Sequence, residues 1–433
     1  MKEKIKVGYI GLGRRGYAVL NQCVSEMNDV EVVAICDLNP LKMENAKKTL
    51  VKKGRTEPIM TTNYKDILAM EEIDAVFIMT SWNSRIKLAI EAMYAGKYTG
   101  IEVGCAFDIS ECYELVDAYE KTGVPCMMLE NCCYGRNEMM ALRMVKEGLF
   151  GEIVHANGAY HHYLNEVEFF LDSTEFYLEN GEKKIITDHY RLAEYKNRCL
   201  ENYPTHELGP ISKCLNINKG NRMLSLVSVA SKARGIETYM KDHVPADHPF
   251  AGETFKQGDI INTIITCANG ETIHLTLDTT LPRAFYSREF TIRGTKGMCE
   301  ESGAKRYTFF LEGMKEGDET FDNKAEMYEK YDHPLHREFA NAGEKGGHGG
   351  MDWLVVRAFV ESVKTETEPP IDVYDTATWL AIGPLSEASI NQGGHPVEFP
   401  DFTRGRWFRR ENEMCQSKYS LDLVVDDPET SIF

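Results

Sequence analysis

The 433-residue chain predicts an α/β protein in two parts. A doubly wound parallel sheet comes first, and an α+β domain on a large, mostly antiparallel open sheet follows. Three observations carry this. Through about residue 130, short apolar runs alternate with helix-like stretches, the pattern of βαβ units. After about residue 150 the runs lengthen and alternate polar with apolar, which suits an antiparallel sheet with one wet face. The length also exceeds the roughly 250–300 residues at which one core stops growing. The predicted domains are residues 1–135 and 136–433.

The elements follow in order. Ile5–Ile10 is an apolar strand running into Gly-Leu-Gly-Arg-Arg-Gly, and a helix continues to Met27. Val30–Cys36 is a second strand, ending at Asp37. Pro40 suits the first turn of the next helix, because its fixed φ is already helical. Ala75–Thr80 reads as a strand buried on both faces, followed by a helix over Ile86–Ala95 that Gly96 ends. Tyr98–Val103 is a strand, and Asp108 with Glu111 forms a capping box for the helix after it. Pro125–Glu130 is again apolar. In the second part, residues 153–163, 259–267, 271–280 and 288–294 read as strands, and Asn269-Gly270 marks a hairpin. Residues 314–330 are highly charged and read as a solvated excursion; Met351–Val363 has helical spacing.

Composition excludes several classes. Lys plus Arg number 49 and Asp plus Glu 67, a net charge of −18. That argues against a broad nucleic-acid surface or an anionic membrane, both of which need excess basic residues. No apolar run is long enough for a membrane span, and no secretory signal opens the chain, so a cytoplasmic protein is expected. Twelve cysteines without CxxC spacing read as reduced, buried thiols. The adjacent His161-His162 on a strand point to opposite faces, so no metal site is expected.

Gly11-Leu12-Gly13-Arg14-Arg15-Gly16 matches GxGxxG in the right context: a strand before it, a helix after it, and Asp37 at the next strand end. Gly11 permits the tight turn, Gly13 lets backbone approach a pyrophosphate, and Gly16 lets helix and strand pack closely. Asp37 suits the adenosine ribose hydroxyls and repels a 2′-phosphate, which favours NAD over NADP. Arg14 and Arg15 contact the cofactor or face solvent. The strand ends that would hold the nicotinamide are Thr80-Ser81-Trp82-Asn83-Ser84-Arg85, Glu102-Val103-Gly104 and Glu130-Asn131.

These strand ends resemble the Gfo/Idh/MocA oxidoreductases, in which a Rossmann domain precedes an open-sheet domain. Many of those carry Glu-Lys-Pro where this chain has Glu102-Val103-Gly104, and valine cannot shuttle a proton. A closer resemblance is to glycoside hydrolase family 109, the NAD-dependent α-N-acetylgalactosaminidase-like branch. It rests on Met127–Asn131 with Cys133-Tyr134-Gly135-Arg136, Gly148–Ala156, Tyr203-Pro204-Thr205-His206, Asn216–Arg222, Gly294-Thr295-Lys296-Gly297 and Gly347-His348-Gly349-Gly350-Met351-Asp352. Arg85 stands where those proteins usually have histidine and Gly104 where they have proline; residues 163–200 match poorly.

The resemblance implies cofactor contacts from Arg14, Arg15, Asp37, Trp82, Asn83, Arg85, Glu102, Val103 and Asn131. It implies substrate contacts from Tyr160, Arg191, Tyr203, Pro204, Thr205, His206 and Tyr286. His162 is expected to face the cofactor or pocket, and His206 with Tyr160, Tyr203 and Tyr286 to handle protons. The implied activity is hydrolysis of an N-acetylgalactosaminide or related hexoside by transient oxidation at carbon 3, elimination, water addition and re-reduction, with NAD tightly bound and recycled. The alternatives are a sugar or cyclitol dehydrogenase releasing NADH, and a non-catalytic NAD-binding regulator. By fold-level analogy, pairing of two chains through the C-terminal sheet is expected.

Overall fold

The computed structural model describes residues 2–166, 176–179, 182–185, 190–248, 250–303, 306–317, 321–410 and 417–425. The first sheet holds β1 (Ile5–Ile10), β2 (Val30–Cys36), β3 (Ile59–Thr61), β4 (Ala75–Ile78), β5 (Tyr98–Ile101) and β6 (Cys126–Met128), in spatial order β3-β2-β1-β4-β5-β6. Every pairing in it is parallel. Its crossovers are α1 (Arg14–Gln22), α2 (Pro40–Lys52), α3 (Tyr64–Leu68), α4 (Trp82–Tyr94) and α5 (Ile109–Thr122). Pro40 lies in the first turn of α2 and the Asp108–Glu111 capping box opens α5, both as the sequence predicts, and Asn39 supplies the cap of α2. The four residues of β4 are fully buried, which explains their unbroken apolar run.

After α6 (Arg136–Lys146) the chain enters an eight-stranded sheet, ordered β15-β14-β13-β7-β12-β11-β10-β16. Its strands are β7 (Ile153–His161), β10 (Met223–Ala230), β11 (Ile260–Cys267), β12 (Thr272–Asp278), β13 (Thr291–Gly294), β14 (Gly297–Glu301), β15 (Tyr307–Leu311) and β16 (Val397–Glu398). All pairs are antiparallel except β7 with β12. A separate two-stranded hairpin, β8 (Phe176–Glu179) with β9 (Glu182–Ile185), precedes α7 (Tyr190–Asn197) and α8 (Thr205–Cys214).

The structure adds β3, β8, β9, β10, β14, β15 and β16 to the strands expected from sequence. It also corrects the reading of residues 314–330. Lys324–Tyr331 is a helix, because Met327 is 1% exposed in the core while the charged side chains line the outside. Tyr328 of this helix lies under the Arg136 guanidinium and donates to Asn137. The helix Met351–Thr365 returns to the parallel sheet, where Phe359 meets Phe77 edge-on at 5.1 Å and Arg357 pairs with Asp29. No described helix is long and apolar enough to cross a membrane.

Candidate active site

The glycine turn fits a dinucleotide. Gly11 has φ +98°, and a Cβ there would lie 2.7 Å from the Met79 carbonyl carbon. A Cβ on Gly16 would lie 2.3 Å from the Gly11 oxygen, so α1 packs on β1 only without a side chain. Gly13 is different: nothing lies within 4 Å of where its Cβ would be. It caps α1 with no side-chain hydrogen bond, and no acidic residue occupies the first turn. The helix start therefore offers amide donors and a positive dipole end toward open space, as a pyrophosphate requires. Asp37 is held at the next strand end by the Leu12 amide (2.7 Å) and the Asn39 amide (2.8 Å).

At the other end of the cleft, Arg14 is exposed while Arg15 turns inward. Arg15 pairs with both oxygens of Asp352 (2.7 and 2.8 Å) and with Glu102 (3.2 Å). Asp352 also accepts from Asn131 (2.7 Å) and lies 2.8 Å from His348 Nδ1. Burial would raise the Asp352 carboxyl, but His348 and Arg15 hold it well below the carboxylate range. Asp352 thus ties three strand ends together: the sequence shows it only as part of a glycine-rich motif, and its partner Arg15 is 337 residues away.

Trp82 and Arg85 open α4 and are both buried. Arg85 donates to the carbonyls of Val103 and Thr80, and burial pulls its pKa down. A Cβ on Gly104 would lie 2.5 Å from Trp82 Cδ1 and 2.7 Å from an Arg85 nitrogen. Trp82 and Arg85 together fill the space that a side chain at 104 would need. Asn83 is exposed and accepts from the Ser81 hydroxyl.

The pocket proper forms where β7 meets α8. Tyr160 leaves β7 and stacks on Tyr203 with ring centroids 4.2 Å apart. His206, in the first turn of α8, meets Tyr203 edge-on at 5.0 Å and Tyr160 at 5.5 Å. Tyr286 closes on Tyr160 at 6.0 Å and on His162 at 5.2 Å, and Tyr160 Oη lies 2.9 Å from His162 Nδ1. The Arg191 guanidinium stands 4.6 Å over Trp82 and 5.0 Å over Tyr203, joining pocket to cofactor cleft. Pro204 caps α8, and Thr205 is fully buried. The structure so brings together Tyr160, His162, Arg191, Tyr203, His206 and Tyr286, which lie more than a hundred residues apart at the extremes.

Sequence reasoning missed the role of Glu130. His206 Nδ1 lies 2.8 and 3.0 Å from its two oxygens, and Glu130 also accepts from the Cys132 amide at 2.9 Å. Gly209 allows the approach, since a Cβ there would lie 3.0 Å from Glu130 Cγ. Burial favours the protonated acid, yet the facing His206 ring and the Cys132 amide hold Glu130 below the usual carboxylate range. A carboxylate only accepts, so Nδ1 carries a proton and Nε2 faces away from Glu130. Cys132 Sγ stands near both, and these three ligand atoms lie within 4.8 Å of one another. Burial holds the Cys132 thiol far above its ordinary pKa, and Cys132 Sγ donates to Asn131 Oδ1 at 3.5 Å.

Burial also raises the phenols of Tyr160, Tyr203 and Tyr286 well above 10, so they act as neutral donors and acceptors. It pushes His162 down to about 4, with Arg191 and His206 adding to the effect. Beneath this floor, Glu201 and Glu207 are completely buried, and Glu201 Oε2, both Glu207 oxygens and both Asn202 amide atoms have no partner among the described residues. Burial raises Glu201 to about 8 and Glu207 well above its ordinary value.

Comparison with known proteins agrees with this geometry. Residues 134–409 match the model described as glycosyl hydrolase 109, C-terminal domain, and residues 5–130 match the oxidoreductase family, NAD-binding Rossmann fold. The chain is 39% identical over 417 residues to an alpha-N-acetylgalactosaminidase of Tannerella forsythia, covering 94% of this chain and 88% of that one. It is likewise 39% identical over 420 residues to a glycosyl hydrolase family 109 protein of Stenotrophomonas maltophilia (94% and 91%). Among solved structures, an NAD binding oxidoreductase from Klebsiella pneumoniae aligns with TM-score 0.70 at 14% identity, covering 92% of this chain and all of that one. The WlbA dehydrogenase from Bordetella pertussis, in complex with NADH and UDP-GlcNAcA, aligns with TM-score 0.64 at 16% identity (93% and 99%). The Rossmann domain binds NAD, and the chain belongs to glycosyl hydrolase family 109.

Proposed function

We propose that this chain hydrolyses an N-acetylgalactosaminide or closely related hexoside without net redox change, keeping NAD bound through turnover. The observation that carries the reading is the Glu130–His206 pair set beside stacked Tyr160 and Tyr203, within one Arg191 side chain of the cofactor cleft. Gly11, Gly13, Gly16 and Asp37 would hold the pyrophosphate and ribose; Trp82, Arg85, Glu102, Val103, Asn131 and Arg15 would shape the nicotinamide end. When bound, NAD supplies reversible removal of hydride from carbon 3 of the sugar.

The rest falls to the protein. Oxidation at carbon 3 acidifies the hydrogen on carbon 2, and His206 Nε2 acts as the base that takes it, with Glu130 stabilising the imidazolium that forms. Loss of that proton expels the aglycone from carbon 1. Tyr160 and Tyr203, neutral by burial, position sugar hydroxyls and hydrogen-bond the developing oxyanion. Water then adds at carbon 1, and the protonated His206 returns a proton to carbon 2. Two carboxylates flanking the bond, the usual glycosidase plan, do not fit: Glu130 is engaged by His206, and Glu201 and Glu207 are sealed under the floor.

This reading supports domains of 1–135 for the cofactor and 136–433 for the sugar, with self-association through the exposed face of the eight-stranded sheet. Val154, Val229 and Ile264 stand about half exposed on those strands. Hydrolysis in heavy water tests the mechanism. Product carrying deuterium at carbon 2 is expected, and a substrate deuterated at carbon 2 should turn over more slowly; hydrogen retained there together with no such slowing rules out the elimination route.

A further inference from the structure

Glu130, Cys132 and His206 bring a carboxylate oxygen, a thiol sulfur and an imidazole nitrogen within 4.8 Å of one another, and among the described residues no other trio of histidine, cysteine, aspartate or glutamate does so. They come from two elements. Glu130 and Cys132 flank Asn131 just after β6, and His206 lies in the first turn of α8. Two of the three are already oriented by their neighbours. The Cys132 amide donates to Glu130 at 2.9 Å, and Cys132 Sγ donates to Asn131 Oδ1, whose amide nitrogen is tied to Asp352 at 2.7 Å. Glu130 is completely buried and Cys132 nearly so, whereas the His206 side chain is 14% exposed. The imidazole is therefore the edge of the trio that opens on the pocket. The Arg288 guanidinium near Cys132 is paired with Glu138, so no unbalanced positive charge faces the trio from that side.

We propose that Glu130, Cys132 and His206 form an inhibitory binding site for one divalent cation of the zinc class. Sulfur and imidazole donors select such a metal over magnesium or calcium, which take oxygen ligands. Three protein donors leave a fourth position open toward the pocket, filled by water. With bonds of about 2.0–2.3 Å, neighbouring ligand atoms around Zn²⁺ stand roughly 3.3–3.6 Å apart. His206 Nδ1 is 2.8 and 3.0 Å from the Glu130 oxygens, so the ring backs away slightly toward the pocket, its open side. The protons balance. The metal forms a bond to Cys132 Sγ, and the thiol proton leaves to solvent. It forms a second to His206 Nδ1, whose proton passes to Nε2. One cation, one carboxylate and one thiolate then sum to zero charge, which suits a buried centre. With Nε2 carrying the proton, the imidazole has no lone pair left to act as a base. The site stands by itself; only its effect on turnover rests on the reading of His206 as the base in hydrolysis.

The test titrates Cd²⁺ and then Zn²⁺ into the NAD-loaded protein, kept in a reductant that carries no thiol. One equivalent of Cd²⁺ is expected to raise the ultraviolet charge-transfer band of a thiolate–cadmium bond. Zn²⁺ should bind with the same stoichiometry, read by competition with a chromophoric chelator, and release one proton in weakly buffered solution. Cys132→Ser should remove the band and weaken Zn²⁺ binding by at least about tenfold, in a variant shown by circular dichroism to be folded. No band and no proton release in the unaltered protein overturns the proposal, whether or not the variant folds. So does a band, or an unchanged Zn²⁺ affinity, in Cys132→Ser, since the metal would then lie elsewhere. The same samples are assayed with a nitrophenyl N-acetylgalactosaminide. Hydrolysis should stop at one equivalent of Zn²⁺ and return when a chelator removes it. Full turnover with the cadmium band present would leave the site standing and remove His206 from the hydrolytic chemistry instead.

Discussion

The two sides of the cleft solve the problem of buried polar groups in opposite ways. On the cofactor side most polar groups are paired in advance: Asp37 with two amides, Arg15 with Asp352 and Glu102, Asn131 with Asp352, while Arg85 Nε has no partner among the described residues. Under the sugar side, Glu201, Asn202 and Glu207 keep buried atoms that no described residue satisfies. The cofactor side is thus a rigid mould, suited to a ligand that stays. The sugar side carries raised carboxyls beneath a floor of tyrosines and two imidazoles, an arrangement suited to moving protons.

Substitutions sharpen the contrast, the largest effect coming from the proton-handling side. His206→Ala should lower kcat by about 10²–10⁴-fold while the protein still copurifies with NAD. Retained activity would take His206 out of the chemistry. Glu130→Gln keeps an acceptor for Nδ1 but removes the charge. It should lower kcat by about 10–100-fold, the factor that a charge-assisted hydrogen bond of ~1.5–3 kcal/mol corresponds to. A KM effect alone would make Glu130 a packing residue.

On the cofactor side the expected penalty is steric. Gly104→Ala should cost about 1–3 kcal/mol in stability, because its Cβ overlaps Trp82 and Arg85. Arg85→His in the same chain should recover most of that loss. Additive losses in the double variant would show that positions 85 and 104 are independent.

The smallest effect concerns pH. Glu201 titrates near 8 in the fold and near 4.5 when unfolded, so between those values the folded chain holds a proton that the unfolded chain has released. Stability must therefore fall as pH rises through that window. Glu201→Gln should flatten the fall and raise Tm at pH 8 by about 3 °C. A lower Tm at pH 8 would mean that the carboxyl is satisfied by ordered water or an ion.

The same contrast decided what the sequence could reveal. The glycine turn, Asp37 and the Asp108–Glu111 capping box are local patterns, because a helix start or a strand end is set by a few neighbouring residues. Tyr-Pro-Thr-His was likewise visible as a motif, but the partner of the His206 ring is Glu130, 76 residues earlier. The Arg15–Asp352 pair lies beyond any sequence window for the same reason. The strand Met223–Ala230 escaped notice because it is paired on both sides, with β11 and β16, and shows no clean alternation. The helix at Lys324–Tyr331 was hidden by its charge, since a single buried Met327 anchors it. Arg85 and Gly104 read as two unrelated departures until the structure placed them in contact.

The central claim is hydrolysis through a cofactor that ends each cycle unchanged. Its most direct test is to incubate the protein with a nitrophenyl N-acetylgalactosaminide and follow released nitrophenol and free NADH together. Many equivalents of nitrophenol per bound NAD, with no accumulating NADH, is the predicted result. NADH rising in step with product, or turnover of free sugar to a ketone, would contradict it.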